Sequence, residues 1–154
     1  MHVLLVNNST IPVYAYGGTE RVIWDLGKSL VKLGHKVSYL VPEGSHCDFG
    51  RVLPIDTKRP WQEQIPADID ITHFQFNPHT PPDTPYLVTE HGNARKTKPL
   101  PLNTVFVSQN HASRYGSDQY VLNGLDWESY GAVDLENIRT RFHFLGKAAW
   151  SVKN

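Results

Sequence analysis

The fold is decided by residues 1–41, whose sequence is MHVLLVNNSTIPVYAYGGTERVIWDLGKSLVKLGHKVSYLV. The apolar run Val3-Leu4-Leu5-Val6 predicts a strand that is buried on both faces, as in a parallel sheet. Apolar residues then recur at helical spacing over 22–33, and Gly34 is placed to end that helix in a left-handed conformation. Residues 37–41 form a second apolar run. Strand, helix and strand in this order predict a βαβ unit with a right-handed crossover.

Further strands are predicted along the rest of the chain. They cover residues 51–55, 70–74, 85–89, 104–107 and 120–122, and a short helix is predicted over 109–115. Strands that alternate with helices or loops favour an α/β fold with a doubly wound, open and mainly parallel sheet of the Rossmann-like kind. Prolines are frequent between Pro78 and Pro101, so irregular connections are expected there.

The sequence changes in character after residue 124. Residues 125–141 are mixed and charged, with helical character around 134–138, and the run FHFLG at 142–146 predicts a new strand. A strand at that place needs a neighbour with which to pair. We therefore predict a Rossmann-like domain over 1–124, a hinge or linker over 125–141, and the start of a second domain over 142–154.

The composition is typical of a soluble globular protein, with 40% hydrophobic and 19% charged residues. Lys plus Arg and Asp plus Glu both total 15, and this zero net charge argues against nucleic acid as a partner, because nucleic acid normally needs a clustered basic face. The single Cys47 cannot form an intrachain disulfide, which suits a reducing compartment. No signal peptide or membrane-spanning stretch is recognisable. The expected location is the cytoplasm, with at most peripheral contact to the inner face of the membrane.

The segment Gly17-Gly18-Thr19-Glu20 lies between the first strand and its helix. Free backbone N–H groups and the helix dipole make such a junction an anion site, and glycines let a phosphate approach the backbone closely. Thr19 is the predicted N-cap of the helix. The alternative interpretation is a tight turn with nothing bound. A nicotinamide dinucleotide is disfavoured, because the G-x-G-x-x-G spacing is absent and no acidic residue ends the second strand.

Three polar side chains are predicted near the carboxyl ends of strands, where open parallel sheets bind their ligands. His91 follows the strand over 85–89 and precedes Gly92, and we interpret it as a functional residue. His73 and Gln75, near the end of the preceding strand, are expected to line the same cleft. For His73, a half-buried histidine bonded to backbone is the slightly favoured alternative.

Neither of two candidate metal motifs predicts a metal site. Asp68-Ile69-Asp70 has the form of a paired acidic site for a divalent ion, but it falls at the start of a strand, opposite the expected cleft. A solvated strand entry is therefore the favoured interpretation. His46-Cys47-Asp48 contains metal-binding residue types without the spacing of a structural zinc site.

Five segments occur in the order found in one enzyme family. They are GGTERV at 17–22 with LVKLGHKV at 30–37, ADIDITH at 67–73, TEHG at 89–92, VS at 107–108 with NGLD at 123–126, and FHFLGK at 142–147. Together they resemble the N-terminal half of retaining glycosyltransferases of the two-Rossmann-domain (GT-B) type, family 4, formerly called group 1. The resemblance covers nearly the whole chain.

This resemblance implies transfer of a sugar from a nucleotide donor to an acceptor hydroxyl, without a metal ion or a cofactor beyond the donor substrate. The implied partners are the nucleotide sugar, an acceptor glycan or glycolipid, and a C-terminal domain absent from this sequence. His91 is implied as the catalytic residue that contacts the transferred sugar. The implied donor-binding residues are Gly17, Gly18, Thr19, Asn123 and Gly124, and the implied acceptor-binding residues are Tyr14, Tyr16, Gln75 and Asn77.

The resemblance has a consequence for activity and leaves alternatives open. The second domain of such enzymes normally binds the nucleotide, so the chain alone is expected to be inactive. The alternative to an enzyme half is a non-catalytic Rossmann-like domain that binds a carbohydrate or a nucleotide. A nicotinamide-dependent epimerase shares the general fold but is disfavoured by the glycine spacing.

Overall fold

The computed structural model describes residues 1–15, 17–78, 80–92, 99–132 and 134–141. Its strands are β1 (His2–Val6), β2 (Lys36–Val41), β3 (Arg51–Pro54), β4 (Ile71–Phe74), β5 (Tyr86–Glu90) and β6 (Thr104–Phe106). Its helices are α1 (Gly18–Lys32) and α2 (Gln109–Ser113), with 3-10 turns at Trp61–Gln64 and Trp127–Tyr130. The strands predicted up to residue 107 are confirmed, with bounds shifted by one residue at most.

Within the described residues, the six strands form one parallel sheet in the order β3-β2-β1-β4-β5-β6. The first strand lies at the centre, where Leu5 is paired with Tyr39 of β2 on one side and with His73 of β4 on the other. The chain therefore reverses its direction of winding between β1 and β4. In sheets of this kind the ligand crevice lies outside the carboxyl ends of the strands at that reversal. The predicted open, parallel α/β fold is confirmed.

Alternate residues of each strand point to opposite sides of the sheet, and a buried cluster lies on each side. On one face, Leu5 packs in a cluster with Ile23 of α1. On the other face, Leu4 and Phe74 pack against residues from the connections between strands. Trp61 of the first 3-10 turn meets Phe74 edge to face, with ring centroids 4.6 Å apart. A long helix thus covers one side of the sheet, and an irregular connection covers the other.

Helix α1 ends at the predicted glycine. The backbone N–H of Gly34 donates to the carbonyl oxygen of Val31 at 2.9 Å, and that of His35 donates to the carbonyl of Leu30 at 3.0 Å. With Gly34 at φ 85°, these two bonds make a Schellman motif, which satisfies carbonyls at the helix end. Leu33, the last member of the predicted apolar stripe, immediately precedes this turn and is exposed.

The start of α1 differs from the prediction. The helix begins at Gly18, Gly17 is the N-cap, and no side chain caps this end. Thr19 therefore lies inside the first turn, and its predicted capping position is wrong. A Cβ atom at Gly17 would lie 2.7 Å from the Cγ2 of Val13, and φ at this glycine is 158°. The strand-to-helix turn thus needs a residue without a side chain where a hydroxyl cap would otherwise stand.

The chain after β6 is less regular than predicted. Tyr120 forms a single parallel bridge with Phe106, so the strand predicted over 120–122 reduces to one residue. The Asp134 side chain accepts a hydrogen bond from the N–H of Glu136 at 3.0 Å, and residues 134–141 contain no helix, so the helical character predicted there is wrong. The strand predicted over 142–146 and the domain predicted over 142–154 lie outside the described residues. Among the described helices, none is both long and apolar enough to cross a membrane.

Candidate functional site

His91 and Gln75 form a hydrogen-bonded pair at the carboxyl ends of two neighbouring strands. Gln75 follows β4, His91 follows β5, and the Nε2 atom of His91 lies 2.8 Å from the Oε1 atom of Gln75. The parallel pairing of β4 with β5 brings these two strand ends together. Because a carboxamide oxygen only accepts, Nε2 carries the hydrogen of the bond, and Nδ1 of the neutral ring keeps a free lone pair.

Gln75 is fixed in place from two directions. Its backbone N–H donates to the carbonyl oxygen of Val6 at 3.0 Å, which ties it to the end of β1. Its side chain is bonded to His91, and the residue is only 7% exposed. The Nε2 atom of its carboxamide is buried without a hydrogen-bond partner. A buried donor in this state costs free energy unless a ligand or a water molecule satisfies it.

Two imidazoles at this end of the sheet are held in the neutral form. Burial lowers the pKa of His91, the carboxylate of Glu20 acts in the opposite direction, and His111 lowers it further. Burial also lowers the pKa of His73 to about 4, with a smaller contribution from His91. Desolvation disfavours the charged form of a histidine, so both rings are uncharged at neutral pH.

The interpretation of His73 as a histidine bonded to backbone differs from the structure. Its Nε2 atom lies 2.7 Å from the Oγ1 atom of Thr89, a side-chain partner on β5. The two residues point to the same face of the sheet, because β4 and β5 are paired with His73 opposite Leu87. His73 therefore lines the same cavity as His91.

A cavity of about 390 Å³ opens between α1 and the face of the sheet that carries these histidines. We call it the strand-end cavity. Its volume falls in the range of small-molecule sites, about 300–1,000 Å³. Its lining is mainly apolar and comes from α1, from β4 to β6 and from the segment after Tyr120. The lining residues are Val22, Asp25, Leu26, Ser29, His73, Gln75, Leu87, Thr89, His91, Val105, Val121, Leu122, Asn123, Gly124 and Leu125.

Asn123 and Gly124, predicted on the donor side, line the cavity together with His91 and Gln75. Their segment follows the bridge to β6, where the N–H of Val121 donates to the carbonyl of Phe106 at 2.8 Å. Further along, the N–H of Asp126 donates to the carboxylate of Asp25 at 3.0 Å, and the carboxylate of Asp126 binds the Lys28 ammonium at 2.6 Å. These contacts fasten the segment to α1.

The twin-glycine turn lies beside this cavity and does not line it. Gly17, Gly18 and Thr19 are absent from its lining. Glu20 lies close to both the turn and His91. Its charge acts on His91, and its Oε2 atom would lie 2.9 Å from a Cβ placed on Gly17. A carboxylate of the protein therefore lies where an anion was predicted to bind.

Two further acceptor-side candidates, Tyr14 and Asn77, are not among the lining residues of the strand-end cavity. Tyr14 is 81% exposed and its hydroxyl lies 3.1 Å from the Nε2 atom of His46. Asn77 donates a hydrogen bond to the carbonyl of Pro99 at 3.4 Å and lines a separate depression. Tyr16 lies outside the described residues. Their assignment to the acceptor stays a prediction.

The acidic pair Asp68 and Asp70 lies at the amino end of the sheet, as expected for a strand entry. The carboxylate of Asp70 accepts a hydrogen bond from the backbone N–H of His2 at 2.6 Å, and that of Asp68 lies 3.2 Å from the ring of His2. In the described part of the chain, no three His, Cys, Asp or Glu side chains come together as metal ligands.

Several cavity residues were missed from the sequence. Leu87 and Thr89 alternate with Val88 along β5, and this period of two places them on the face of His73. That signal was present in the sequence, but it needed the pairing partner of β5 to become useful. Asp25 lies in the middle of α1, and its bond to Asp126 spans 101 positions of sequence, which local patterns do not reveal.

This chain is similar to a known protein in its structure, and no match was found by sequence. No protein-family model and no curated protein sequence matches this chain. Among solved structures, the chain is similar to AviGT4, described as a glycosyltransferase involved in avilamycin A biosynthesis, with a TM-score of 0.67 and 22% sequence identity. The match covers 85% of this chain and 44% of that one, so this chain spans less than half the length of AviGT4. At this identity the likeness shows a shared fold.

Proposed function

We propose that this chain is the acceptor-side half of a retaining, metal-independent glycosyltransferase that moves a sugar from a nucleotide donor to an acceptor hydroxyl. The observation that carries the proposal is the hydrogen-bonded pair of His91 and Gln75 at the winding reversal of the sheet. The shared fold with a glycosyltransferase supports it. A neutral imidazole and a carboxamide offer sugar hydroxyls both donors and acceptors without adding charge.

In this proposal His91 contacts the transferred sugar and helps to position the reacting centre. The backbone amides at Gly17 and Gly18, with Thr19 in the first helical turn, face the donor phosphates. Asn123 and Gly124 contact the donor from the lining of the strand-end cavity, beside which the twin-glycine turn lies. Preorganised dipoles directed at the departing phosphate are the expected source of rate, because negative charge accumulates there during the transfer.

The described lining residues do not supply the positive charge that the reaction needs. Among the residues that the structure describes, the lining of the strand-end cavity contains the carboxylate of Asp25 and no Lys or Arg. A departing nucleoside diphosphate needs positive charge or several donors to stabilise it. We expect a second domain to provide them, so the 154-residue chain binds the donor weakly and does not transfer sugar by itself.

A titration of the ¹⁵N-labelled chain with UDP-glucose, GDP-mannose and dTDP-glucose tests this function. We expect one of these donors to shift the amide signals of Gly17, Gly18 and His91 at millimolar concentration, without release of free nucleotide. The shifts should persist in His46→Ala, whose ring is exposed and bonded to Tyr14, and should weaken in His91→Ala.

Two results would contradict the proposal. If no donor moves these signals, the turn and His91 do not form a donor site. If free sugar or free nucleotide alone produces the same shifts with the same affinity as the donor, the chain is instead a non-catalytic carbohydrate- or nucleotide-binding domain. Turnover by the isolated chain would show that the site is more complete than we propose.

A further inference from the structure

We infer that the strand-end cavity receives the uncharged, apolar part of the acceptor, an aromatic or alicyclic alcohol whose hydroxyl oxygen accepts a hydrogen bond from Gln75. This inference rests on the proposed function and names the acceptor class for that site. It follows from three properties of the cavity as its described residues form it: apolar walls, a lack of positive charge, and one buried donor without a partner.

The walls of the cavity are apolar on opposite sides. Val22 and Leu26 of α1 form one wall, and Leu87 and Val105 of the sheet form the other. Burial of apolar surface between such walls is favourable in proportion to the area removed from water. Because most of the lining is apolar, a compact ring with one hydroxyl loses less hydration on entry than a glycan chain with many hydroxyls.

The charge of the lining selects against an anionic ligand. In the described part of the chain the lining holds no Lys or Arg, and desolvation keeps the imidazoles of His73 and His91 neutral. The remaining charge is the carboxylate of Asp25, which already accepts the N–H of Asp126 at 3.0 Å. A carboxylate or phosphate on the ligand would lose its hydration in this cavity without meeting an opposite charge.

At the polar end of the cavity, the amide N–H of Gln75 needs an oxygen atom as its hydrogen-bond acceptor. The Oε1 atom of Gln75 is occupied by His91, whereas its Nε2 atom is buried with no partner, and the residue is only 7% exposed. A hydroxyl oxygen of the ligand accepts from this N–H and removes the cost of the unmade bond. The same hydroxyl lies next to His91, which we propose to contact the transferred sugar, so it is the one positioned for glycosylation.

Binding of three related probes to the 154-residue chain tests this inference. The probes are 2-naphthol, which is uncharged at neutral pH, naphthalene, which lacks the hydroxyl, and 2-naphthoate, an anion with the same ring system. Affinities are measured by fluorescence, and the site is located from NMR shifts of Leu87 and Gln75. We expect 2-naphthol to bind at least tenfold more tightly than 2-naphthoate and to shift both residues.

Two variants and one matched control sharpen the result. Ser29→Trp, at an exposed lining position on α1, should block the cavity and abolish 2-naphthol binding, whereas Ser113→Trp, at an exposed position on α2, should not. Gln75→Met should weaken 2-naphthol by about fivefold to tenfold, the worth of one hydrogen bond, and leave naphthalene unchanged. Equal affinity for 2-naphthoate, or full binding by Ser29→Trp, would overturn the inference.

Failure here is distinguishable from failure of the proposed function. The nucleotide-sugar titration measures binding at the twin-glycine turn and His91. The naphthol series measures binding between the apolar walls and at Gln75. Donor shifts without naphthol binding leave the transferase proposal standing and refute this acceptor class. Naphthol binding without donor shifts supports the cavity as a site for apolar alcohols and refutes the transferase proposal.

Discussion

At the scale of single residues, the partly buried His73 links the stability of the fold to pH. Its pKa is lowered to about 4 in the folded chain by burial, against an ordinary value of 6.5. The unfolded chain therefore binds a proton that the folded chain excludes, and stability falls as the pH drops from about 6.5 towards 4. For this one residue we expect a loss of about 2 kcal/mol in the free energy of unfolding between pH 7.5 and pH 5.

Urea unfolding of the wild type and of His73→Gln at the two pH values measures this loss. The variant should lose less stability at pH 5, because glutamine does not titrate, although it is expected to be less stable at both values. His46→Gln serves as the control, since the ring of His46 is exposed, and its loss should equal that of the wild type. An unchanged loss in His73→Gln would show that another group carries the pH dependence.

A second single-residue feature is the contact between Gly27 and Tyr39. A Cβ atom at Gly27 would lie 1.8 Å from the hydroxyl oxygen of Tyr39, which itself donates to the carbonyl of Trp24 at 3.4 Å. Gly27 lies in the middle of α1, where glycine is unfavourable, so the close approach of the ring explains its presence. The ring of Tyr39 is completely buried and cannot retreat into solvent.

We therefore expect Gly27→Ala to destabilise the chain by about 1–3 kcal/mol through overpacking, despite the better helix propensity of alanine. Chemical denaturation gives the value. The double variant with Tyr39→Phe should recover part of the loss, because it removes the nearest atom. If Gly27→Ala proves as stable as the wild type, α1 is able to shift away from the sheet.

At the scale of elements, the amino end of α1 is the proposed site of the donor phosphates, and it already carries a carboxylate of the protein. The free N–H groups of a helix start favour an anion, but Glu20 of the same turn places its own carboxylate against Gly17. A donor phosphate that binds there must displace this side chain or be repelled by it. The same carboxylate raises the pKa of His91 against the effect of burial.

From this arrangement we expect two effects of Glu20→Gln. The pKa of His91, followed by NMR titration of its ring, should fall further, because the nearby negative charge is removed. The affinity for nucleotide sugars should increase for the same electrostatic reason. Glu63→Gln, in the remote 3-10 turn, should change neither property. A drop in donor affinity in Glu20→Gln would instead mean that Glu20 binds the donor sugar.

At the scale of the whole molecule, local patterns predicted the sheet well and the chain after β6 poorly. The first strand holds a continuous apolar run and the second an apolar run interrupted by Ser38, both buried on both faces, and such runs have few alternatives to a central parallel strand. The 3-10 turn at Trp61–Gln64 escaped notice because its stability comes from the packing of Trp61 against Phe74, a contact across 13 positions. The strand predicted over 120–122 reduced to a bridge for a related reason, since pairing with β6 is a tertiary property.

In the candidate site, too, the residues that follow strands were predicted better than the residues on loops. His91 and Gln75 were predicted from their places after strands, and Asn123 was implied by the family resemblance. In the structure all three line one cavity. Tyr14 and Asn77 were implied as acceptor-binding residues by the family resemblance. Both lie on loops, and loops leave the sheet in directions that the sequence does not give. Their contacts with His46 and Pro99 lie elsewhere in the fold.

The two attachments of Gln75 also determine when the hydrogen-bonded pair of Gln75 and His91 can exist during folding. Its backbone holds the end of β1 and its side chain holds the residue after β5, so three distant stretches must already be paired around it. A chain with only its first βαβ unit formed has no such pair. Loss of ligand affinity on heating should therefore coincide with cooperative melting of the middle strands, and a partly melted protein that still binds is not expected.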